Sequence, residues 1–146
     1  MKKLTFEADI AASAKHVWET MINYETYVEW VSAAWPGSHY VGKWGKDEAV
    51  RFVSPNGGGT LANITEFKPY TFIKAAHVAI ILGNGTEDRT SDMAKGWIGT
   101  TESYTFSESN GKTHVLVEMN IEPQWESMFV NDWPKALNKL KEISEK

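Results

Sequence analysis

The stretch WIGTTESYTFSESNGKTHVLVEMNI, residues 97–121, decides the fold of this chain. Two runs that alternate apolar and polar side chains, residues 97–108 and 112–121, flank the dipeptide Asn110-Gly111. Alternation with a period of two is typical of a strand that buries one face. Asn-Gly tolerates the positive φ angles of a tight hairpin turn. The stretch therefore predicts two antiparallel strands in a sheet with one buried face.

More strands are predicted on the N-terminal side of this hairpin. Residues 3–10 alternate cleanly between apolar and charged or polar side chains. Turns rich in Gly, Pro and Asn separate four further strands, at residues 39–44, 48–54, 60–67 and 71–82. Residues 83–96 are polar and without periodicity, which predicts a long loop. Together the runs predict a seven-stranded antiparallel sheet.

Helical spacing appears between the first two strands. Ser13 is a good N-cap residue, and the apolar positions after it fall at offsets of 0, 3, 4, 7 and 8 from Ala14. A second short helix of similar pattern begins at Tyr24, and Pro36-Gly37 ends that segment. Two short helices are therefore expected directly after the first strand.

The C-terminal segment has the longest helical stripe. Its apolar positions are Trp125, Phe129, Trp133, Ala136, Leu140 and Ile143. Pro134 has no N–H to donate, so we expect a kink near residues 131–133, with Asp132 as the cap of the longer half. A single amphipathic helix of this kind can pack its apolar face on the one buried face of the sheet. A curved sheet and one helix leave space between them, which predicts an α+β fold with an internal apolar cavity.

Composition excludes several function classes. The chain has 146 residues, no cysteine and a net charge of −4, so we expect one domain over residues 1–146 without disulfides or thiolate chemistry. The acidic balance argues against a nucleic-acid partner. The four His lie far apart, and no phosphate-binding loop is present, so no metal, nucleotide or covalent cofactor is expected. No apolar run suits a signal peptide or membrane insertion, which predicts a cytoplasmic protein.

With this order of elements, the chain resembles the START-like or SRPBCC superfamily, which has the helix-grip fold, and within it the homologues of the activator of heat-shock-protein-90 ATPase. The matching stretches are IAASAKHVWETM, GGGTLANITEFKPYTFI, WIGTTESYTFSESNGKTHVLVEM and MFVNDWPKALNKLKEI, which together span nearly the whole chain. The resemblance implies a cavity for lipids, aromatic polyketides or other apolar molecules. It also implies that some members are cyclases or dehydratases, and it suggests a chaperone contact and a link to the stress response.

Glu102 and His77 are the candidate catalytic residues. Glu102 shares strand parity with Tyr104 and Phe106, so an inward face would bury its carboxylate and raise its pKa, which suits a general acid or base. The alternative is a solvated position near the strand end, or a pair with a basic side chain. On the preceding strand either His77 or Lys74 points inward, and a neutral imidazole is less costly to bury.

Aromatic side chains are unusually frequent, with seven Trp, five Tyr and six Phe. We expect several of them to gather at one cavity, with residues 83–96 as a mobile lid; ordinary packing of helix on sheet is the alternative for the helix residues. The candidate ligand contacts are Trp30, His77, Trp97, Glu102, Tyr104, Trp125, Met128, Phe129 and Trp133.

Three functions are compatible with these patterns. The first, which we favour, is a monomer or weak dimer that binds a small hydrophobic molecule between the sheet and the C-terminal helix without necessarily being an enzyme. The second is an enzyme of the cyclase or dehydratase kind, which requires Glu102 and His77 within about 8 Å of each other at one cavity. The third is a chaperone-associated interaction module, which predicts an exposed apolar patch and no sizeable cavity.

Overall fold

The computed structural model of the protein describes all of residues 1–146. Its strands are β1 (Lys2–Ile10), β2 (His39–Gly42), β3 (Ala49–Val53), β4 (Gly59–Lys68), β5 (Phe72–Ile81), β6 (Glu87–Asp88), β7 (Thr101–Ser109) and β8 (Lys112–Ile121). Its helices are α1 (Ala14–Ile22), α2 (Tyr24–Val31), α3 (Asp92–Trp97) and α4 (Trp133–Ser144), and a 3-10 helix at Pro123–Met128 precedes α4.

The strands form one antiparallel sheet. Its order is β1-β8-β7-β5-β4-β3-β2, and the two-residue β6 pairs with the end of β5. Asn110 and Gly111 both have positive φ angles, 55° and 76°, in the turn that joins β7 to β8. The predicted α+β class is confirmed, as are the antiparallel sheet of seven principal strands, the two short helices after β1 and the C-terminal helix.

The segment 83–96 is where the predicted order fails. It is not a long loop, because it contains β6 and most of α3. The Ser91 hydroxyl caps α3 by accepting a hydrogen bond from the Ala94 N–H at 3.1 Å. Trp97 therefore ends a helix, where the alternation had predicted the first residue of a strand, and β7 begins only at Thr101. A six-residue helix makes fewer than two turns, which is too short for its apolar residues to show a helical period.

The C-terminal segment is not one helix: it is interrupted near residues 129–132, where the sequence predicted a kink. The chain leaves the 3-10 helix at Met128 and starts α4 at Trp133, so Trp125 and Phe129 do not belong to the same helix as Leu140. Pro134 lies in the first turn of α4, where its missing N–H leaves no helical hydrogen bond unmade. Asp132 stands at the N-cap position, but its side chain makes no capping hydrogen bond and contacts Lys135 Nζ at 3.5 Å.

The core lies between the sheet and helices α1, α2 and α4. Alternate residues of β7 and β8 point into it, for example Tyr104 and Val117, which face each other across the two strands. Two register shifts in β4, near Ala62 and Thr65, mark β-bulges, which bend a strand and so add curvature to the sheet. A gap remains in the core where α2, the start of α4 and the sheet approach one another. No helix in the structure is both long and apolar enough to cross a bilayer.

Candidate functional site

A cavity of about 220 Å³ lies between the sheet, α2 and the start of α4. Twelve of its 19 lining residues are hydrophobic. The inner wall is formed by buried residues, among them Trp30, Met119 and Trp133, while the exposed side chain of Met128 stands at the rim. The predicted apolar cavity between sheet and C-terminal helix is therefore present, with buried residues in its wall and at least one exposed residue in its lining.

Eight of the nine candidate contacts line this cavity. They are Trp30, His77, Trp97, Glu102, Tyr104, Met128, Phe129 and Trp133. Trp125 is the exception, because its indole N–H donates to the Gly96 carbonyl at 3.2 Å and its ring packs edge-on against Trp97 outside the lining. No residue between 83 and 96 lines the cavity, so the prediction of a lid in that segment is wrong.

Sequence reasoning missed several lining residues. Tyr27 and Trp35 come from α2 and the turn after it, Phe52 comes from β3, and Met119 comes from β8. One of these could have been found from the sequence. The Asn110-Gly111 turn places Ser109 opposite Lys112, and the same register places Met119 opposite Glu102. The others depend on how α2 and β3 approach α4, which no local pattern records.

Glu102 is buried, and its side chain lines the cavity. It accepts hydrogen bonds from the Tyr104 hydroxyl at 2.7 Å and from His77 Nε2 at 2.9 Å. Tyr104 lies two residues along the same face of β7, so its hydroxyl can reach back to the carboxylate. The alternative of a solvated strand-end carboxylate is wrong, since only 7% of Glu102 is exposed.

His77 is the inward residue of its strand, and Lys74 is on the other face. The register of β5 places Ala75 opposite Glu102, and His77 is two residues further along the same face. His77 is thus diagonal to Glu102, a separation that two long side chains bridge readily. Alanine stands both opposite Glu102 and opposite His77, at Ala75 and Ala62, which leaves room for the two polar side chains.

Electrostatics set the protonation of this cluster. Burial by itself raises the pKa of Glu102, but the hydrogen bond and the charge interaction with His77, together with the hydrogen bond from Tyr104, outweigh it, so the pKa lies below its usual value. The sequence-based expectation of a raised pKa is therefore wrong. Burial and the nearby Glu102 charge raise the pKa of Tyr104 well above its usual value and also raise the pKa of Tyr27. Both phenols therefore stay protonated at neutral pH.

Some buried polar atoms beside the carboxylate lack partners. Because the ionised Glu102 can only accept, the imidazole carries a proton on Nε2. His77 Nδ1 has no hydrogen-bond partner, and neither does the indole N–H of Trp97, whose ring centroid lies 4.8 Å from that of His77. An unmade hydrogen bond on a buried group costs roughly 1–3 kcal/mol. The unpaired Nδ1 of His77 and indole N–H of Trp97 therefore lower the stability of the fold, and such destabilising groups are common at functional sites.

The chain matches no protein-family model and no curated protein. It is similar in structure to the Aha1 dimer from Colwellia psychrerythraea, with 18% identity, a TM-score of 0.75, and 99% of this chain and 97% of that chain covered. Protein MLL2253 from Mesorhizobium loti follows at 13% identity and a TM-score of 0.74, with 97% and 96% covered. CalU16 from Micromonospora echinospora has 13% identity and a TM-score of 0.68, with 97% and 75% covered. At these identities the likeness is one of fold, and it confirms the predicted helix-grip fold.

Proposed function

We propose that the protein binds a small hydrophobic or aromatic molecule in the cavity between the sheet and α4. The observation that carries this proposal is a cavity of about 220 Å³ with eight Trp, Tyr and Phe rings and a hydrogen-bonded carboxylate in its lining. Ligand sites are typically concave and mostly apolar, with a few well-placed polar groups. A purely structural core would close over such a gap, because proteins pack their interiors densely.

The size of the cavity limits its occupant. Pockets for drug-sized ligands span roughly 300–1,000 Å³, so a volume of about 220 Å³ suits a molecule of one or two fused rings better than a sterol or a long acyl chain. Aromatic walls favour a planar partner, because ring pairs gain energy from offset or edge-on stacking.

An amide-shift NMR titration with 2-naphthol as the probe tests the proposal. Binding predicts saturable shifts at Trp97, Glu102 and Trp133, which surround the cavity. The substitution Thr60→Trp places a large ring in the lining and is expected to abolish those shifts. Thr65→Trp is the matched control, because Thr65 lies on the same strand but is exposed and outside the lining. Saturable shifts that persist in Thr60→Trp would contradict the proposal, and so would the failure of both 2-naphthol and its apolar analogue 2-methylnaphthalene to shift these residues in the wild type.

A second candidate function is the cyclase- or dehydratase-like enzyme. It is favoured by the direct hydrogen bond between Glu102 Oε1 and His77 Nε2, which are 2.9 Å apart, and by the place of both residues in the cavity lining. With its pKa lowered, Glu102 is ionised at neutral pH and would serve to orient His77, which would then carry the proton transfer. Mass spectrometry of a bound ligand after incubation with the wild type and with Glu102→Gln separates turnover from binding.

The third candidate, a chaperone-associated interaction module, predicted that no sizeable cavity would be present. The cavity of about 220 Å³ does not agree with that prediction.

A further inference from the structure

Glu102 is the one Asp, Glu, Lys or Arg residue among the cavity-lining residues. Its side chain is 9% exposed, and the exposed part can only face the cavity, since the residue lies on the inward face of β7. No lysine or arginine accompanies it in the lining. The wall of this mostly apolar cavity therefore carries one carboxylate, and its contacts are the imidazole of His77 and the phenol of Tyr104 rather than a lysine or arginine.

The carboxylate still has acceptor capacity. Two carboxylate oxygens offer about four lone-pair sites. His77 Nε2 occupies one site on Oε1, and the Tyr104 hydroxyl occupies one on Oε2. The remaining sites have no protein donor. An O–H or N–H group on a molecule in the cavity would supply such a donor, whereas an apolar molecule would leave the charge less well solvated than water does.

From this geometry we infer that the cavity selects a small aromatic molecule that carries a hydrogen-bond donor and no negative charge. Glu102 is the residue that accepts the hydrogen bond from this donor and repels a negative charge. The inference rests on the proposed ligand-binding function and adds the chemical class of the ligand. Phenols, indoles and aromatic amines meet the requirement. Aromatic and fatty carboxylates fail it, because a second anion beside Glu102 would meet like charge in a medium of low dielectric constant.

Three probes with the same ring system separate the contributions. They are 2-naphthol, 2-methylnaphthalene and 2-naphthoate, which offer a donor, an apolar group and an anion at the same position. In wild-type protein at neutral pH, we expect 2-naphthol to bind about tenfold more tightly than 2-methylnaphthalene, the gain of one hydrogen bond to a charged acceptor. We expect 2-naphthoate to give no saturable amide shifts at the cavity. This comparison needs no variant and therefore does not depend on the folding of one.

Glu102→Gln then removes the charge and keeps the shape. It is expected to let 2-naphthoate bind and to reduce the preference for 2-naphthol over 2-methylnaphthalene to within about threefold. Glu66→Gln is the matched control, since Glu66 is an exposed strand carboxylate outside the lining, and it is expected to behave as the wild type. Equal affinities for all three probes in the wild type would overturn this inference and leave the binding function standing. Failure of all three probes to bind would overturn both.

Discussion

At the scale of the residue, the buried carboxylate of Glu102 is the feature that ordinary packing does not explain. A buried charge is tolerated only when hydrogen bonds or an opposite charge replace its lost hydration. Here a phenol and an imidazole do so, and each of them is itself a buried polar side chain of the core. A hydrophobic residue at position 102 would fill the same space at lower cost. This cost is the physical reason for proposing that the cluster serves ligand binding rather than stability.

We expect the hydrogen bond from Tyr104 to Glu102 to contribute to the stability of the protein. Tyr104→Phe removes the donor and leaves the carboxylate with one fewer bond, so we expect a loss of roughly 1.5–3 kcal/mol in the free energy of unfolding. Urea denaturation at pH 7 measures it. Tyr24→Phe is the control, because 51% of Tyr24 is exposed and its hydroxyl makes no hydrogen bond to the protein. Equal stability of the two variants would show that Tyr104 does not hold the charge.

The lowered pKa of Glu102 predicts a pH dependence with a definite sign. Its folded-state pKa lies below the ordinary value of 4.5, so its contribution to stability is complete above that pH and is lost as the pH falls through the folded-state value. We therefore expect the stability advantage of the wild type over Glu102→Gln to shrink steadily from about pH 4.5 downward. Urea midpoints measured between neutral pH and strongly acidic pH test this. A stability advantage of the wild type that grows as the pH falls would contradict this prediction.

At the scale of the element, the β7–β8 hairpin shows what periodicity can predict and where it stops. The Asn110-Gly111 turn and the alternation on both sides are local signals, and they are sufficient for the register that pairs Glu102 with Met119. The neighbouring β6 and α3 were missed, because two and six residues are too few for a period to appear. The hydrogen bond between His77 and Glu102 was also out of reach. It depends on the register of β5 against β7, and the chain between those strands has no fixed-length turn.

The hairpin turn itself can be tested by backbone geometry alone. Gly111 has a φ of 76°, and a Cβ atom built there would meet nothing within 4 Å, so substitution strains only the backbone. Gly111→Ala is expected to lower the free energy of unfolding by about 1–2 kcal/mol, the usual penalty of a left-handed conformation for a residue with a Cβ. Asn110→Gly is the control and is expected to be nearly neutral, since glycine adopts positive φ freely. Urea denaturation compares both variants with the wild type, and a neutral Gly111→Ala would refute this account of the turn.

At the scale of the whole molecule, the order of elements was predictable because each buried face of a strand or helix produces a periodic pattern of apolar residues in the sequence. The cavity was predictable only as a consequence of that architecture. Its position, volume and polar contacts arise where α2, the start of α4 and the sheet approach one another. The break before α4 illustrates the difference. Pro134 indicated a local irregularity, but only the fold decides that residues 123–128 form a separate 3-10 helix and that Phe129, directly after it, lines the cavity.

The two edges of the sheet predict the oligomeric state. An open edge strand invites pairing with another chain unless it is short, charged or covered. Strand β2 has four residues, and β1 carries charged residues along its length. The C-terminal end of β1 is also engaged by side chains from the end of the molecule. Lys141 Nζ donates to the Asp9 carbonyl at 2.9 Å, and the Ala11 N–H donates to Glu145 at 2.9 Å.

We therefore expect a monomer of 16.4 kDa at micromolar concentrations, with at most weak self-association, although the Aha1 protein of similar fold is described as a dimer. Sedimentation equilibrium over a range of concentrations measures the mass. Lys141→Ala frees the Asp9 carbonyl and is expected to increase any self-association through β1. Lys139→Ala is its control, because Lys139 lies two residues earlier on the same helix and its side chain contacts Glu142 instead of a backbone carbonyl. A stable species of twice the monomer mass in the wild type would show that the charges and side-chain contacts along β1 do not protect this edge.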